Sequence, residues 1–356
     1  MPKNSNKDYV IITRFPFRSQ LGGEEWHTHD LFKYLQKKKN VKFEFYGSCK
    51  VLSKLFNTST KIFPKSPVSK FQLLIYTALL PYTLLRFYFK AISSKNKNHV
   101  YYMLSLSEKL FLAPFLKKFN IPYVFVEHAT IGNWLFKNPF YKLYLKNLEW
   151  KKAQIITVSK LMEQSLKIKK TKVIPNAINQ KFKNKSKFSG INKVLYIGRL
   201  TEDKGMQQLI KLANNFKNIK FIAIGKGPFK ETLKDNGIKV YSKMSHKKIM
   251  DFLTKVDLLV LPATIKDPFG LVVLEAMSRN VPSLISENVG IKDYLKNKEE
   301  IMIYSSDIVT SLNQFINDNT IKFVFSNLQD SYRKFSYHHM ALSYLKVLNK
   351  FRAIKL

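Results

Sequence analysis

The stretch that most constrains this chain runs from Ile265 to Pro282, I-K-D-P-F-G-L-V-V-L-E-A-M-S-R-N-V-P. Asp257-Leu-Leu-Val-Leu-Pro262 before it is a short apolar run that predicts a strand buried on both faces of a parallel sheet. Pro268-Phe269-Gly270 predicts a turn, and Leu271 to Met277 a helix apolar on almost every side and therefore buried. In an open parallel sheet, ligands bind beyond the carboxyl ends of the strands, where helix N-termini point. The backbone amides of Gly270 and Leu271 are therefore expected to be free for an anion. Glu275 falls more than a turn inside the helix, where a carboxylate is costly unless something hydrogen-bonds it, and a pair of ligand hydroxyls would suit.

Two carboxylates, Asp267 and Glu275, thus flank a Pro-Phe-Gly turn and an apolar run. This resembles the acidic-x7-acidic signature of retaining glycosyltransferases of family 4, whose usual form is Glu-Gly-Phe-Gly-Leu-x-x-x-Glu-Ala. Here Asp267 and Pro268 replace the first Glu and Gly, so the leading carboxylate has a shorter reach.

The remaining chain is long enough for two domains: 356 residues, 45% of them hydrophobic and 14% aromatic. A single cysteine, Cys49, excludes an intramolecular disulfide and fits a reducing compartment. The opening M-P-K-N-S-N-K-D has no apolar segment of the secretory kind, which leads to the expectation of a cytoplasmic protein. The formal net charge is +37, and residues 1–190 hold 35 Lys/Arg against 9 Asp/Glu. Such an excess attracts anionic surfaces, although abundant Lys, Asn, Ile and Phe are also what AT-rich coding produces.

Tyr9 to Phe15 predicts a first strand, followed by Gln20-Leu-Gly-Gly-Glu-Glu-Trp-His-Thr-His29 and a helix to about Gln36. A strand, a Gly-Gly turn and a helix N-terminus form an anion-binding arrangement. It matches the Gly-rich loop of the family, in which a glycine, here Gly23, approaches the donor phosphate or the acceptor. His27 and His29 do not share a helix face, so no metal site is expected from them.

From Phe45 to Ser107 there is no acidic residue and there are nine Lys/Arg. Within this span Phe71 to Ile92 is long and apolar, but Gln72, Pro81, Arg86 and Lys90 argue against a membrane span. It predicts one long helix, either packed on the first domain's sheet or lying partly in an anionic membrane surface with Arg86 and Lys90 reaching the headgroups. Further βα units follow, with strands at His99–Leu104, Pro122–His128, Gln154–Ser159 and Lys172–Asn176. His128 sits at a strand's carboxyl end and matches the family histidine that faces the donor sugar. Val173-Ile-Pro-Asn-Ala-Ile-Asn179 resembles the segment that closes the family's first domain.

The second domain opens with Lys193–Gly198 as a strand, Arg199-Leu-Thr-Glu-Asp-Lys204-Gly205 as a loop and a helix from about Met206 to Phe216. Arg199 and Lys204 are cations of the kind that grip a diphosphate and stabilise charge growing on a departing nucleotide. The same Gly-Arg-x5-Gly with its internal Lys is the second family hallmark. Val240 to Met244, leading into His246, is placed beside the nucleotide base.

The resemblance implies an α/β GT-B fold: two facing Rossmann-like domains with a donor cleft between them. The expected division is residues 1–182, a linker at 183–190 and a donor domain at 191–334, with a last helix at about 335–356 returning to the first domain. The implied reaction is retaining transfer of a sugar from a nucleotide diphosphate sugar to an acceptor hydroxyl, in glycolipid, polysaccharide or other envelope-glycan synthesis. Arg199 and Lys204 would hold the diphosphate and Glu275 the ribose. Asp267 and His128 would position the sugar, and Gly23, Met244, Phe269, Gly270 and Leu271 would line the donor site. No metal and no cofactor beyond the co-substrate are implied. The expected partners are the sugar donor, a glycan or lipid-linked acceptor and, through residues 45–107, an anionic membrane on its inner face. Two other classes compete: a nucleotide-sugar epimerase or phosphorylase on the same fold, and a basic nucleic-acid binder, for which no binding motif exists.

Overall fold

A computed structural model describes residues 9–15, 23–39, 41–59, 61, 70–128, 139–166, 168, 171–184, 188–242 and 244–351. The chain divides into two compact units. The first comprises residues 1–158, 165–174 and 338–356, and the second residues 159–164 and 175–337.

The first unit is built on six parallel strands: β1 (Tyr9–Arg14), β2 (Phe43–Gly47), β3 (His99–Met103), β4 (Tyr123–Glu127), β5 (Ala153–Thr157) and β6 (Thr171–Val173), ordered β2-β1-β3-β4-β5-β6. β3 and β4 are almost wholly buried, as strands covered on both faces must be, and the aromatic side chains on one of those faces fill a core. Tyr101, Tyr123 and Phe125 meet Phe87 and Tyr144 there. The last helix, Tyr337–Lys350, contributes Met340 and Tyr344 to this unit, beside His27.

Where a single helix is expected over 71–92, there are two, Lys70–Ala78 and Leu80–Ser93. Pro81 stands in the first turn of the second helix, where its missing N–H is harmless; inside one continuous helix it would break a hydrogen bond. Pro114 likewise stands in the first turn of a helix, Ala113–Lys118, directly after the helix Leu106–Phe111. Among the described residues no helix is long and apolar enough to cross a membrane.

The second unit has its own six-stranded parallel sheet: β7 (Lys193–Ile197), β8 (Lys220–Ile224), β9 (Lys239–Tyr241), β10 (Leu258–Leu261), β11 (Ser283–Ser286) and β12 (Met302–Tyr304), ordered β12-β11-β10-β7-β8-β9. This is the doubly wound Rossmann order, in which the chain reverses direction across the sheet between its first and fourth strands. The boundary falls at Ile174 rather than near 182. The reason is local bonding: Arg279 Nη1 donates to Lys181 O, Arg279 Nη2 to Gln180 Oε1, and Lys183 N to Ser278 O, which fastens residues 180–183 to the second unit.

Candidate active site

In the second unit β7 and β10 are neighbours, and the chain leaves them in opposite directions across the sheet. The loops at their carboxyl ends therefore part and leave a crevice, the position where such sheets bind ligands. Those loops are Gly198–Gly205 and Pro262–Gly270, and they carry Lys204 and Asp267.

The two loops are stitched backbone to backbone. The amides of Thr264 and Ile265 donate to Asp203 O at 3.1 and 3.3 Å, and Thr264 Oγ1 donates to Glu202 O at 3.0 Å. Gly205 has φ +78°, and a Cβ there would lie 1.8 Å from Pro262 O, so glycine is required on both counts. Lys204 Nζ then reaches Asp267 Oδ2 at 2.6 Å, with the two side chains 14% and 16% exposed. Asp267 is itself fixed: its amide donates to Asn288 O at 2.8 Å, its carbonyl accepts from Gly290 N at 3.0 Å, and its Oδ1 accepts from Phe269 N at 3.3 Å. A largely buried cation thus faces a carboxylate held in place by its own backbone.

Arg199 behaves differently. Its side chain is 65% exposed, and Nη2 lies 2.8 Å from Asp203 Oδ2. Partial burial alone would raise the Asp203 carboxyl, but the Thr201 side chain and the neighbouring Arg199 and Lys204 charges hold it below the usual carboxylate range. Both expected diphosphate cations therefore have carboxylate partners. Asp203, four residues after Arg199, carries a helix-like spacing that sequence reading could have used.

The helix Leu271–Met277 lies where it is expected, with Gly270 at its N-cap in the left-handed region, φ +82°. Among the described residues the amides of Gly270 and Leu271 donate to no backbone or side-chain acceptor. Glu275 is half-buried, and its Oε1 lies 3.0 Å from His246 Nε2. His246 opens the helix His246–Leu253, which Ser245 caps, and half-buried Met244 stands just before it. No local signal links His246 to Glu275. Phe269, expected to line the donor site, is 2% exposed and packed against Tyr294 and Phe335. Its amide and carbonyl are also committed, to Asp267 Oδ1 and Ile291 N.

The first unit holds the two other expected residues. Gly23 is the first residue of the helix Gly23–Lys39, and the rest of the glycine-rich loop lies outside the described residues. His128 follows β4, and its Nε2 is buried with no hydrogen-bond partner among the described residues. Its ring lies 4.8 Å from that of His27, a contact the sequence reading missed. Burial, with the nearby His27, Lys109 and Arg14, keeps His128 well below the usual imidazole range and hence neutral. Burial also lowers His27 to about 4. Behind them, Lys109 Nζ bonds Glu127 Oε1 at 2.7 Å, and Tyr144 donates to the same oxygen at 2.8 Å. At the end of β1, Arg14 Nη2 sits 2.9 Å from Glu24 and 3.0 Å from Glu25.

Residues 178–337 match the family model described as glycosyl transferases group 1. The chain is 25% identical over 230 residues to the GPI3 subunit of phosphatidylinositol N-acetylglucosaminyltransferase from Saccharomyces cerevisiae, covering 54% of this chain and 49% of that protein. It spans no more than about half the length of the first curated relatives it matches. Among solved structures, HepE of Anabaena in complex with UDP aligns over 96% of this chain and 100% of that one, with TM-score 0.69 and 16% identity. Sucrose-phosphate synthase of Thermosynechococcus elongatus aligns over 97% and 99%, with TM-score 0.77 and 14% identity. At these identities the structures share the fold, the α/β GT-B fold.

Proposed function

We propose that this chain, whose residues 178–337 match the model of the glycosyl transferases group 1, moves a sugar from a nucleotide diphosphate sugar to an acceptor hydroxyl with retention of configuration. The observation that carries the reading is the Lys204–Asp267 pair at the crevice of the second sheet, 2.6 Å apart and largely buried. A diphosphate entering there competes with Asp267 for Lys204. Once the phosphate takes the cation, the carboxylate is released to accept hydroxyls of the transferred sugar. Lys204 then opposes the charge that grows on the departing nucleotide, in a site where water screens little. Arg199 and the amides of Gly270 and Leu271 add donors to the same anion. These groups supply the positive charge a metal ion would bring, so the proposed chemistry is metal-independent. Glu275 accepts the ribose hydroxyls and takes them in place of His246. The neutral imidazole of His128 is assigned a hydrogen bond to the sugar.

The proposed acceptor is lipid-linked or close to a membrane, and the proposed location is the cytoplasmic face. Support comes from the helices Lys70–Ala78 and Leu80–Ser93. Phe71, Leu74, Leu79, Leu85 and Phe89 are exposed along one side, reaching 72% at Phe71, while Thr83, Phe87 and Ala91 of the second helix are buried on the other. A monomer rarely leaves so long an apolar strip to water. Of the two cations expected to reach headgroups, Lys90 is instead engaged by Glu44 at 3.2 Å, and Arg86 Nη1 donates to the Tyr82 hydroxyl at 2.6 Å. Lys95 and Lys97, exposed beyond the helix end, are better placed for that contact. The name of the yeast relative, which refers to phosphatidylinositol, is consistent with such an acceptor.

A thermal-shift screen of nucleotide diphosphate sugars, followed by product analysis with and without acceptor, tests the reading. A stabilising donor and a glycoside of retained configuration are expected. An epimerised sugar formed from donor alone would replace transfer by epimerisation, and no stabilisation by any nucleotide would remove the donor site.

A further inference from the structure

A second concave site lies at the opposite end of the same sheet from Lys204 and Asp267. There the first residues of three neighbouring strands, Lys193, Lys220 and Lys239, join Lys217 and Lys255 around a cavity of about 540 Å³. Lys193 and Lys220 are direct cross-strand partners. Ile222, which shares a face with Lys220, is the partner of Lys239, so all three lysines stand on one face. Like charges placed directly opposite each other destabilise a sheet. Among the described residues no carboxylate lines the cavity.

Elsewhere in the unit many lysines are neutralised: Lys204 by Asp267, Lys211 by Asp307, Lys234 by Glu231 and Lys334 by Glu300. Among the described residues none of the five cavity lysines has an ion pair. Lys217 Nζ donates to Asn214 Oδ1 at 3.1 Å, and Lys239 Nζ lies 5.3 Å from the centre of the Tyr241 ring. Asp257, beside β7, gives its Oδ2 to the backbone amides of Asn192 and Lys193, each at 3.0 Å. The unit therefore has carboxylates nearby but does not direct them into this cavity. Tyr241 and Phe252 supply an aromatic wall, with ring centres 5.9 Å apart, and Ile219 and Ile222 an apolar floor.

We propose that this cavity is a second binding site, for an anionic saccharide bearing phosphate or carboxylate groups. The aromatic wall takes the face of a sugar ring, and the lysine array takes the charges. An anionic ligand also relieves the repulsion between Lys193 and Lys220, which water and salt otherwise only screen. The site is independent of the donor reading, because it shares no residue with the crevice.

Calorimetry at low and moderate salt with trigalacturonate, glucose 1,6-bisphosphate, neutral maltotriose and inorganic phosphate tests the assignment. The two anionic sugars are expected to bind, more weakly as salt rises; maltotriose is not. Lys220→Gln combined with Lys239→Gln should weaken binding at least tenfold while the melting temperature holds or rises, since repulsion is removed. Tyr241→Leu should weaken the sugars but not phosphate. Lys204→Ala, in the crevice, and Lys322→Gln, an exposed lysine elsewhere in the unit, should leave binding intact. Equal loss in Lys322→Gln would reduce the effect to diffuse surface charge and overturn the site. Loss in Lys204→Ala would place the binding in the crevice. Phosphate competing as well as the sugars, with Tyr241→Leu without effect, would overturn the saccharide assignment, as would a short single-stranded oligonucleotide binding more tightly than trigalacturonate.

Discussion

Lys204 Nζ and Asp267 Oδ2 lie 2.6 Å apart although 63 residues separate them, and each is held by a loop the other loop is bonded to. The pair ties cation and carboxylate function together, so changing one alters what the other can do.

Removing the cation is expected to be the more damaging change. Lys204→Ala deletes the charge that meets the leaving diphosphate and leaves Asp267 without its counter-ion. A loss of about 2–4 kcal/mol in the transition state, roughly 30- to 1,000-fold in transfer rate, is expected. Arg199→Ala should lose less, about 1–2 kcal/mol, because its exposed guanidinium is screened by solvent. Steady-state transfer assays check both, and near-normal turnover by Lys204→Ala would remove the diphosphate assignment.

Asp267→Asn should separate binding from turnover. Losing the competing carboxylate frees Lys204, so affinity for the free nucleotide diphosphate should rise several-fold, roughly 3- to 10-fold for about 1 kcal/mol. Turnover of the intact donor should still drop strongly, because the sugar loses its acceptor group. Calorimetry showing a fall in nucleotide affinity would mean the ion pair preorganises Lys204 rather than competing for it.

Glu275→Gln keeps the shape of the side chain and removes its charge. Weaker binding of the free nucleotide, by about 1–2 kcal/mol, is expected from loss of a charge-assisted hydrogen bond. His246→Ala should have a smaller effect, since ribose hydroxyls take over its bond to Glu275. Unchanged affinity in Glu275→Gln would rule out ribose recognition by this residue.

Co-flotation with lipid vesicles examines the exposed strip. Binding should need anionic lipid and weaken with salt, each basic side chain near the surface contributing about 1 kcal/mol. A remnant at high salt should vanish when Phe71, Leu74, Leu85 and Phe89 are replaced by serine, because apolar burial is insensitive to salt. If the full-length protein stays soluble with anionic vesicles at low salt, the membrane reading fails, and coding composition better explains the basic excess.

The buried His27 gives the first unit an acid limit. Its folded pKa, about 4, lies below the ordinary 6.5. Above 6.5 neither folded nor unfolded chain carries the proton and the contribution is whole. As pH falls from 6.5 towards 4 the unfolded chain binds a proton that the folded chain excludes, so stability declines by up to about 3 kcal/mol. His128, depressed in the same direction, adds to the decline. Denaturant titrations at pH 7 and 4.5 should show a smaller pH difference in His27→Phe than in the parent. An identical difference would mean His27 takes up a proton in the folded state.

Much of this architecture is written locally. Short apolar runs between turn residues placed β7 and β10 within a residue or so, and Leu271–Met277 forms the helix its composition calls for. Gly205 and Gly270 mark turns that need left-handed backbone. These features depend on a few neighbouring residues, so a linear reading can reach them. Pro81 belongs with them: the helix break is encoded where it occurs, although the apolar run around it suggested continuity.

What the sequence left open is which side chains meet. Asp267 could have faced a ligand alone; the strand order that sets β7 against β10 brings it to Lys204. Glu275 and His246 meet because two helices pack, and His27 meets His128 because a helix lies over the end of β4. Phe269 sits in a motif that suggested ligand contact, yet Tyr294 and Phe335 enclose it. Backbone preference and periodicity are properties of short segments. Charge pairing, burial and proton affinity are set by distances across the folded chain, and only the tertiary structure fixes those.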